Sequence, residues 1–429
     1  MLKRFVDVKE EELGAVLWSF LYFFTLMCGY FILKPVRDEM GTAGGVKGLK
    51  TLWTATFVVM LVAVPLYSAL VARWPRKRVI PFIYRFFLLN LVGFFVVLKL
   101  GLASAWVARA FYVWLSVYNL FVVSVFWSFM ADLFVSEQGR RLFGFISAGG
   151  TAGILLGLLL VRQLAVPLGP VNLILITAAL LEVSAQCVRK LSRWAYDVQS
   201  PPSVGAPVGG SVLSGLKLLA TSPFLLALGL QTVFYTVTSS FLYILQAKLV
   251  DTVASGAAAR TTAFANIELW VQVLTLLLQA FVTGRLISRL GLAVAMAVVP
   301  VLTGLGFLGL ALVPVILVFI AVRSLRGAAH YALERPSREI LFTTVSREEK
   351  YKAKSFIDTV VYRGGDVVGG WMEGGLTALG LGAAGVLLTA MPMAGLWLAI
   401  SLYLARHPRV KRQAEVASLG TIPSDAPAR

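Results

Sequence analysis

The sequence predicts an all-α polytopic membrane protein with about twelve transmembrane helices, arranged as two pseudo-symmetric six-helix halves. Three observations predict this fold class: an apolar composition, a regular series of apolar runs and an uneven distribution of basic residues. The 429 residues have a mean hydropathy of +0.82, and only 14% of them are charged, whereas soluble domains carry about 25% charged residues. A water-soluble fold of this length could not bury so much apolar surface.

Apolar runs recur along the whole chain, and most approach the roughly 20 residues that a helix needs to cross a bilayer. The twelve runs lie at about 13–37, 51–72, 79–99, 104–132, 142–163, 167–188, 222–248, 261–286, 290–312, 314–341, 353–380 and 383–405. One longer polar segment, which contains Pro201-Pro202, separates the sixth run from the seventh. We therefore predict an N-terminal half at 1–195, a cytoplasmic linker at 196–211, a C-terminal half at 212–412 and a polar cytoplasmic tail at 413–429.

Basic residues predict the orientation of these spans. With the N-terminus taken as cytoplasmic, 26 of the 39 Lys and Arg residues fall on the cytoplasmic side, 9 on the opposite side and 4 within spans. The positive-inside rule then predicts that both termini are cytoplasmic. Topology thus explains the formal net charge of +18 without a nucleic-acid partner. Since no cleavable signal peptide or transit peptide is recognisable, the expected location is a bacterial inner membrane.

Weak internal similarity predicts that the two halves arose by duplication. Leu133-Phe134 followed by Ser136 after span four corresponds to Leu341-Phe342 followed by Ser346 after span ten, and the two serines are 210 residues apart. Glycines crowd the equivalent spans five and eleven, where small residues allow close helix packing. Two parallel six-helix halves are the arrangement of major facilitator transporters, so the sequence predicts that fold, and we expect a monomer.

Charged residues inside the spans indicate candidate functional positions, because a charge at the bilayer centre costs roughly 2.5–3.5 kcal/mol on insertion scales. Span ten carries the largest set on one helical face, namely Arg323, Arg326, His330, Glu334 and Arg338. Two arginines one turn apart repel each other, and their planar forks suit phosphate or carboxylate oxygens. The alternative is that these charges only tie helices together, and His330 is either a packed residue or a proton relay.

Other spans carry isolated charges. Span eleven carries Asp358 and the pair Arg363 and Asp366, which can bond within the helix. Glu268 lies in span eight and Arg85 in span three. A polar cavity and a set of structural ion pairs both remain open as explanations.

The first span ends in a charged segment around a proline, Lys34-Pro35-Val36-Arg37-Asp38. Proline removes a backbone donor and is expected to kink or break the helix here. Two interpretations remain open. Lys34 and Arg37 form an interfacial cap with extended side chains, or they belong to a discontinuous helix and line the mouth of a cavity.

Two blocks of the sequence resemble the ATP/ADP translocase family of intracellular bacteria and plastids, and look closest to its shorter homologues from free-living bacteria. The first block runs from Tyr30 to Gly41, and the second from Pro336 through Asp358 to Gly370. The residues that match the family's pattern are Lys34, Arg37, Asp38, Arg338, Glu339, Lys352, Lys354 and Asp358. Nucleotide exchangers of the family carry a glutamate in the middle of span four, where this chain has Tyr118 and Asn119. The resemblance therefore implies membership of the superfamily and leaves the substrate open.

Together these observations predict two sets of site residues. The predicted substrate-binding residues are Lys34, Arg37, Arg85, Asn119, Arg323 and Arg326. The predicted coupling or gating residues are Asp38, Glu268, His330, Asp358, Arg363 and Asp366. The sequence contains no nucleophile–base pair at a useful spacing, no metal-ligand cluster and no Walker-type loop. We therefore expect no enzymatic activity, no cofactor and no metal.

The predicted function is secondary-active transport or exchange of a small anionic solute by alternating access, with a nucleotide or another phosphorylated metabolite as the candidate. A second hypothesis is a proton-coupled carrier or exporter of an unrelated solute, in which Glu268, Asp358 and Asp366 couple transport to protons. A flippase for an anionic lipid is a third. Substrate identity and transport direction are left open by the sequence.

Overall fold

The computed structural model describes residues 9–43, 45–73, 76–102, 104–134, 136–198 and 212–410, and the regular elements in these ranges are all helical. The predicted tail at 413–429 and most of the predicted linker at 196–211 lie outside the described residues. The helices before the linker are α1 (Glu10–Ala43), α2 (Leu49–Arg73), α3 (Arg76–Lys99), α4 (Ser104–Leu133), α5 (Ser136–Leu168) and α6 (Leu173–Val198).

The helices after the linker include three short π-helical segments inside longer helical stretches. The α-helices are α7 (Val212–Thr221), α8 (Pro223–Val253), α9 (Ala257–Leu278), α10 (Gly284–Leu312), α11 (Ile316–Ala329), α12 (Arg335–Thr343), α13 (Arg347–Phe356), α14 (Tyr362–Ala378) and α15 (Ala383–Arg406). The π-helical segments are Gln279–Thr283, His330–Glu334 and Ile357–Val361. Each adds a wider turn that rotates the side chains following it, and such segments often occur at functional positions.

The helices confirm a multi-pass membrane protein. Within the described ranges, ten helical segments are long and apolar enough to cross a membrane. One of them, Ala257–Leu312, has 56 residues and is interrupted at Gly291, whose φ of 82° is non-helical. The stretch from Arg347 to Ala378 is helical but is not among the ten, because it carries several charges. The count of twelve spans stays a prediction.

The first helix corrects one expectation. α1 runs without a break from Glu10 to Ala43 and contains Pro35 in its interior. The discontinuous-helix interpretation of the charged segment is therefore wrong. A membrane-spanning helix tolerates a proline because neighbouring groups compensate for the missing backbone bond, and Pro35 is itself buried.

The chain divides into two compact units. Unit 1 comprises Met1–Pro207 with Gln246–Gln272, and unit 2 comprises Val208–Leu245 with Val273–Arg429. The segment 246–272 packs with the N-terminal helices, so these units differ from the halves that the sequence predicts. The boundaries of those halves stay a prediction.

Unit 1 is built on α1, which is largely buried along its length. Aromatic rings of α1 and α4 interlock in its core: Phe23 stacks on Phe126 with ring centroids 4.2 Å apart, and Tyr22 meets the same ring edge-on at 4.9 Å. Offset and edge-to-face ring pairs of this kind stabilise a core beyond their buried area. They pack the middle of α1 against α4.

The glycine stripe of α5 lies directly against the backbone of α1. A Cβ added at Gly149 would lie 2.6 Å from the carbonyl oxygen of Phe20, and one added at Gly157 would lie 2.5 Å from that of Cys28. A Cβ at Gly153 would collide with the carbonyl oxygen of Phe24. Only glycine permits this approach, so the stripe predicted from sequence is a helix–helix contact.

Unit 2 repeats this arrangement. Gly365 and Gly369 of α14 lie against α8, where added Cβ atoms would meet Thr236 and the side chain of Ser240, the latter at 2.7 Å. One core cluster of unit 2 contains Trp397, which is fully buried, with Tyr235, Val299 and Leu333. Glycines thus allow close helix packing in both units, between spans one and five and between spans seven and eleven.

Candidate functional site

The last third of α1 carries ionic contacts to the segment 246–272. The Nζ of Lys34 lies 2.7 Å from Oε1 of Glu268, and the two side chains are 19% and 10% exposed. Gln272 donates a hydrogen bond of 2.9 Å to the same carboxylate oxygen. Two predicted site residues from separate spans are therefore brought together as a largely buried ion pair.

A second ionic contact joins the same two segments. Arg260 at the start of α9 donates to Oε1 of Glu39 at 3.0 Å and approaches Asp251 at the end of α8 at 3.6 Å. The side chain of Glu39 is only 6% exposed. Sequence reasoning missed Glu39 and Arg260 as members of the site. The available signal was that Glu39 directly follows Asp38 in a charged block beside an apolar span.

Arg37 lies between Lys34 and Glu39 in the sequence and contacts Asp38 and Tyr112. Its guanidinium donates to the neighbouring Asp38 at 2.6 and 3.0 Å and stacks over the ring of Tyr112, 4.7 Å from the centroid. Asp38 is buried. We define the contact cluster as Lys34, Glu39, Arg260 and Glu268.

Among the described charges of unit 2, Arg326 is the most deeply buried, with 1% of its surface exposed. Its guanidinium donates to Thr303 Oγ1 at 2.8 Å, Ser239 Oγ at 2.9 Å, Thr238 Oγ1 at 2.7 Å and the Tyr235 carbonyl at 3.2 Å. It also lies over the ring of Tyr235 at 4.9 Å. Four hydrogen bonds and a cation–π contact thus hold a charge that would otherwise be costly to bury.

The three hydroxyls around Arg326 are oriented by their own helices. Thr303 and Thr238 donate to carbonyls one turn earlier at 2.8 and 2.7 Å, and Ser239 donates to Tyr235 at 2.6 Å. Because each hydroxyl donates its hydrogen to a carbonyl of its own helix, it presents a lone pair to the guanidinium. Arg326 is therefore enclosed by oxygens of unit 2 in this conformation, and the cavity-lining role expected for it and Arg323 stays a prediction. Arg323 itself is half-buried.

His330 and Glu334 form a buried pair one turn after Arg326. The Nδ1 of His330 lies 2.8 Å from Oε2 of Glu334, and Gln231 donates to the other carboxylate oxygen at 3.3 Å. The imidazole stacks on the ring of Tyr235 with centroids 3.6 Å apart. His330 to Glu334 is one of the π-helical segments, so the predicted single face from Arg323 to Arg338 is rotated part-way along.

Three more of the predicted site residues of unit 2 lie in ion pairs. Arg338 on α12 bonds Asp358 at 2.7 Å and donates to Thr232 at 3.0 Å. Arg363 reaches Asp366 within its own helix at 3.4 Å. The first pair joins two separate helical segments, whereas the second is local.

This difference predicts unequal effects of two matched substitutions. Asp358→Asn removes the acid that ties α12 to the π-helical segment, while Asp366→Asn weakens a longer contact within one helix. Asp358→Asn should lower the free energy of unfolding by about 1–2 kcal/mol, whereas Asp366→Asn should lower it by under about 1 kcal/mol. The melting temperature of the Asp358→Asn variant should therefore be the lower of the two. Thermal unfolding of the two purified variants measures this, and equal melting temperatures would contradict it.

Two predicted site residues, Arg85 and Asn119, lie outside the contacts described above. Arg85 is exposed on α3, and Asn119 is half-buried on α4. The predicted residues of unit 1 are Lys34, Arg37, Asp38, Arg85, Asn119 and Glu268, and those of unit 2 are Arg323, Arg326, His330, Asp358, Arg363 and Asp366. A common cavity for both sets stays a prediction. Across the described part of the chain, no group of three or more His, Cys, Asp or Glu side chains could hold a metal.

Comparison with known sequences finds a transporter. No protein-family model matches the chain. The chain is 23% identical over 438 residues to ADP,ATP carrier protein 1 of Chlamydia muridarum, covering 86% of this chain and 83% of the relative.

Comparison with solved structures shows the fold. A mutant of the nucleoside transporter NupG matches with a TM-score of 0.67 at 13% identity, covering 91% of this chain and 99% of that one. A bacterial homologue of the iron transporter ferroportin in its inward-facing state matches with a TM-score of 0.67 at 12% identity, over 93% and 100% of the two chains. These matches confirm the predicted all-helical, major facilitator-like fold, while the count of twelve spans stays a prediction.

Proposed function

We propose that this chain, which groups with the ATP/ADP translocase family, is a secondary-active transporter that moves a small anionic solute by alternating access. The candidate solute is a nucleotide or another phosphorylated metabolite. We further propose a bacterial inner-membrane location, cytoplasmic termini, a monomer and no catalytic activity. The similarity to an ADP,ATP carrier and the nucleoside-transporter fold support this proposal.

The observation that carries the mechanism is the contact cluster of Lys34, Glu39, Arg260 and Glu268. Its two ion pairs, at 2.7 and 3.0 Å, connect the first span to helices that follow the linker in sequence. Ion pairs on membrane-spanning helices can hold one state and break in another, because their strength depends on geometry and water access. With the N-terminus cytoplasmic, α1 ends on the outer side of the membrane, so the cluster would close that side.

Basic side chains support the choice of an anionic substrate. Lys34 and Arg37 lie near the end of the first span, and Arg323 is half-buried in another. An incoming phosphate or carboxylate can compete with Glu268 for Lys34, which would couple substrate binding to opening of the cluster. Arg326 is not part of this proposal, because its donors are occupied by neutral oxygens.

Transport assays test the proposal directly. Purified protein in proteoliposomes should take up one member of a panel of nucleotides, phosphosugars and organic acids, and internal substrate should accelerate uptake if the protein is an exchanger. Protein-free liposomes are the control, and a compound that enters them at the same rate is not a substrate of the protein. Absence of uptake for the whole panel, by protein that is folded, would contradict the anionic-solute proposal.

A charge exchange tests the contact cluster. Lys34→Gln and Glu268→Gln should each lower the transport rate by roughly tenfold, since coupling free energies between states are commonly 1–3 kcal/mol. The double variant Lys34→Glu with Glu268→Lys should recover part of that rate, because it restores the ion pair. Lys99→Gln, which changes an exposed lysine at the end of α3, is the matched control. A double variant no better than the single ones would contradict the closing role.

One observation favours proton coupling as a second function. His330 and Glu334 are both buried and share a hydrogen bond inside a π-helical segment. A histidine can take up or release a proton when its surroundings change. If transport is proton-coupled, Glu334→Gln should abolish stimulation by a pH gradient while exchange without a gradient continues.

A further inference from the structure

An open groove runs between α2, α3 and α4 of unit 1, outside the residues considered so far. Its volume is about 1070 Å³, and its lining is apolar and aromatic apart from Arg109 and Thr51. Phe82, Phe86 and Val59 on its walls are 66%, 51% and 40% exposed. Because these helices span the bilayer, an exposed apolar groove between them is surrounded by lipid rather than by water.

The groove extends along the helices that line it. On α4 its lining extends from Trp106 to Phe121, which corresponds to about 22 Å at 1.5 Å per residue. That is most of the roughly 30 Å hydrocarbon core. An extended acyl chain fits this shape better than a compact solute.

One end of the groove is cationic. Arg109 is exposed, and its guanidinium lies over the ring of Trp106, 4.9 Å from the centroid. Within the described ranges, no carboxylate pairs with Arg109. It lies five residues after the start of α4, about 8 Å from the helix end, so its side chain can reach the level of the headgroups. Trp and Arg at this depth are typical of the membrane interface.

We propose that this groove is a binding site for one acyl chain of an anionic phospholipid, whose headgroup phosphate is bound by Arg109. The guanidinium fork matches phosphate oxygens and forms charge-assisted hydrogen bonds with them. A zwitterionic headgroup carries its own ammonium or choline cation, which competes with Arg109 for the phosphate. The site goes beyond the proposed transport function, since it engages the bilayer itself rather than the solute.

The test measures how the protein binds two purified lipids that differ only in the headgroup. Delipidated protein in detergent is titrated with phosphatidylglycerol or phosphatidylcholine of identical acyl chains, and bound lipid is counted by native mass spectrometry alongside the melting temperature. Wild-type protein should retain one phosphatidylglycerol in preference to phosphatidylcholine. Arg109→Gln should weaken phosphatidylglycerol binding about tenfold, as expected for loss of a charge-assisted hydrogen bond, and should leave phosphatidylcholine binding unchanged.

Filling the groove separates the acyl site from the headgroup site. Ala110→Trp should weaken binding of both lipids, and Ala55→Leu repeats the filling from α2 with a smaller side chain. Arg162→Gln, an exposed arginine near the end of α5, should bind lipid like the wild type. Equal binding of both lipids by wild-type protein, unchanged binding after both fillings, or displacement of the lipid by a soluble nucleotide would each overturn the proposal.

Discussion

Arg326→Ala is expected to destabilise the protein by about 3 kcal/mol or more, because it leaves a buried cavity and removes donors from buried acceptors. The side chain is 1% exposed and donates four hydrogen bonds to three hydroxyls and one carbonyl. Those hydroxyls already donate to their own helices, so they cannot compensate by pairing with each other. The melting temperature in detergent measures the effect.

Two further variants define what Arg326 contributes. Arg335→Ala removes an exposed arginine from the next helix and should change the melting temperature little. Arg326→Met keeps most of the side-chain volume but removes the charge and its hydrogen bonds, so it should be intermediate. An Arg326→Met protein at least as stable as the wild type, with transport lost, would contradict the structural role and return Arg326 to the substrate-binding set.

Gly153→Ala is expected to have an effect of similar size on unit 1. The added methyl group would collide with the carbonyl oxygen of Phe24 in α1, and a backbone atom cannot move aside as a side chain can. Overpacking of this kind costs about 1–3 kcal/mol or more. Because α5 supports the helix that carries Lys34, transport per folded molecule should fall as well.

The matched control lies on the same helix. A Cβ at Gly144 would meet nothing within 4 Å, so Gly144→Ala should leave stability unchanged or raise it by up to about 1 kcal/mol through helix propensity. Gly153→Ala is therefore expected to lower stability, whereas Gly144→Ala is not. If both variants melt at the same temperature, the close packing of α5 on α1 is wrong.

Much of the fold could be predicted because a membrane span must satisfy its backbone hydrogen bonds within itself. Apolar length therefore located most of the helices, and closely so for the fourth run at 104–132 and the helix Ser104–Leu133. The sixth run, predicted at 167–188, instead ends ten residues before the helix Leu173–Val198 does. Contacts between sequence neighbours were also accessible, as for Arg363 and Asp366, which lie three residues apart and pair in the structure. The glycine stripe of span five was recognised, although its partner was not.

Only the tertiary structure decided which long-range partners each charge has. Lys34 and Glu268 were both singled out, but no pattern in the sequence pairs them, because their contact depends on how α1 packs against the segment 246–272. The sequence predicts that Arg326 lines a cavity, because its own span does not reveal the hydroxyls that bind it. Those hydroxyls belong to other helices. The sequence by itself determined that this is a multi-pass membrane protein and where most of its helices lie along the chain. The packing of the helices decided which charges are buried and which partners they contact. Burial and hydrogen bonding depend on neighbours that are distant in the chain.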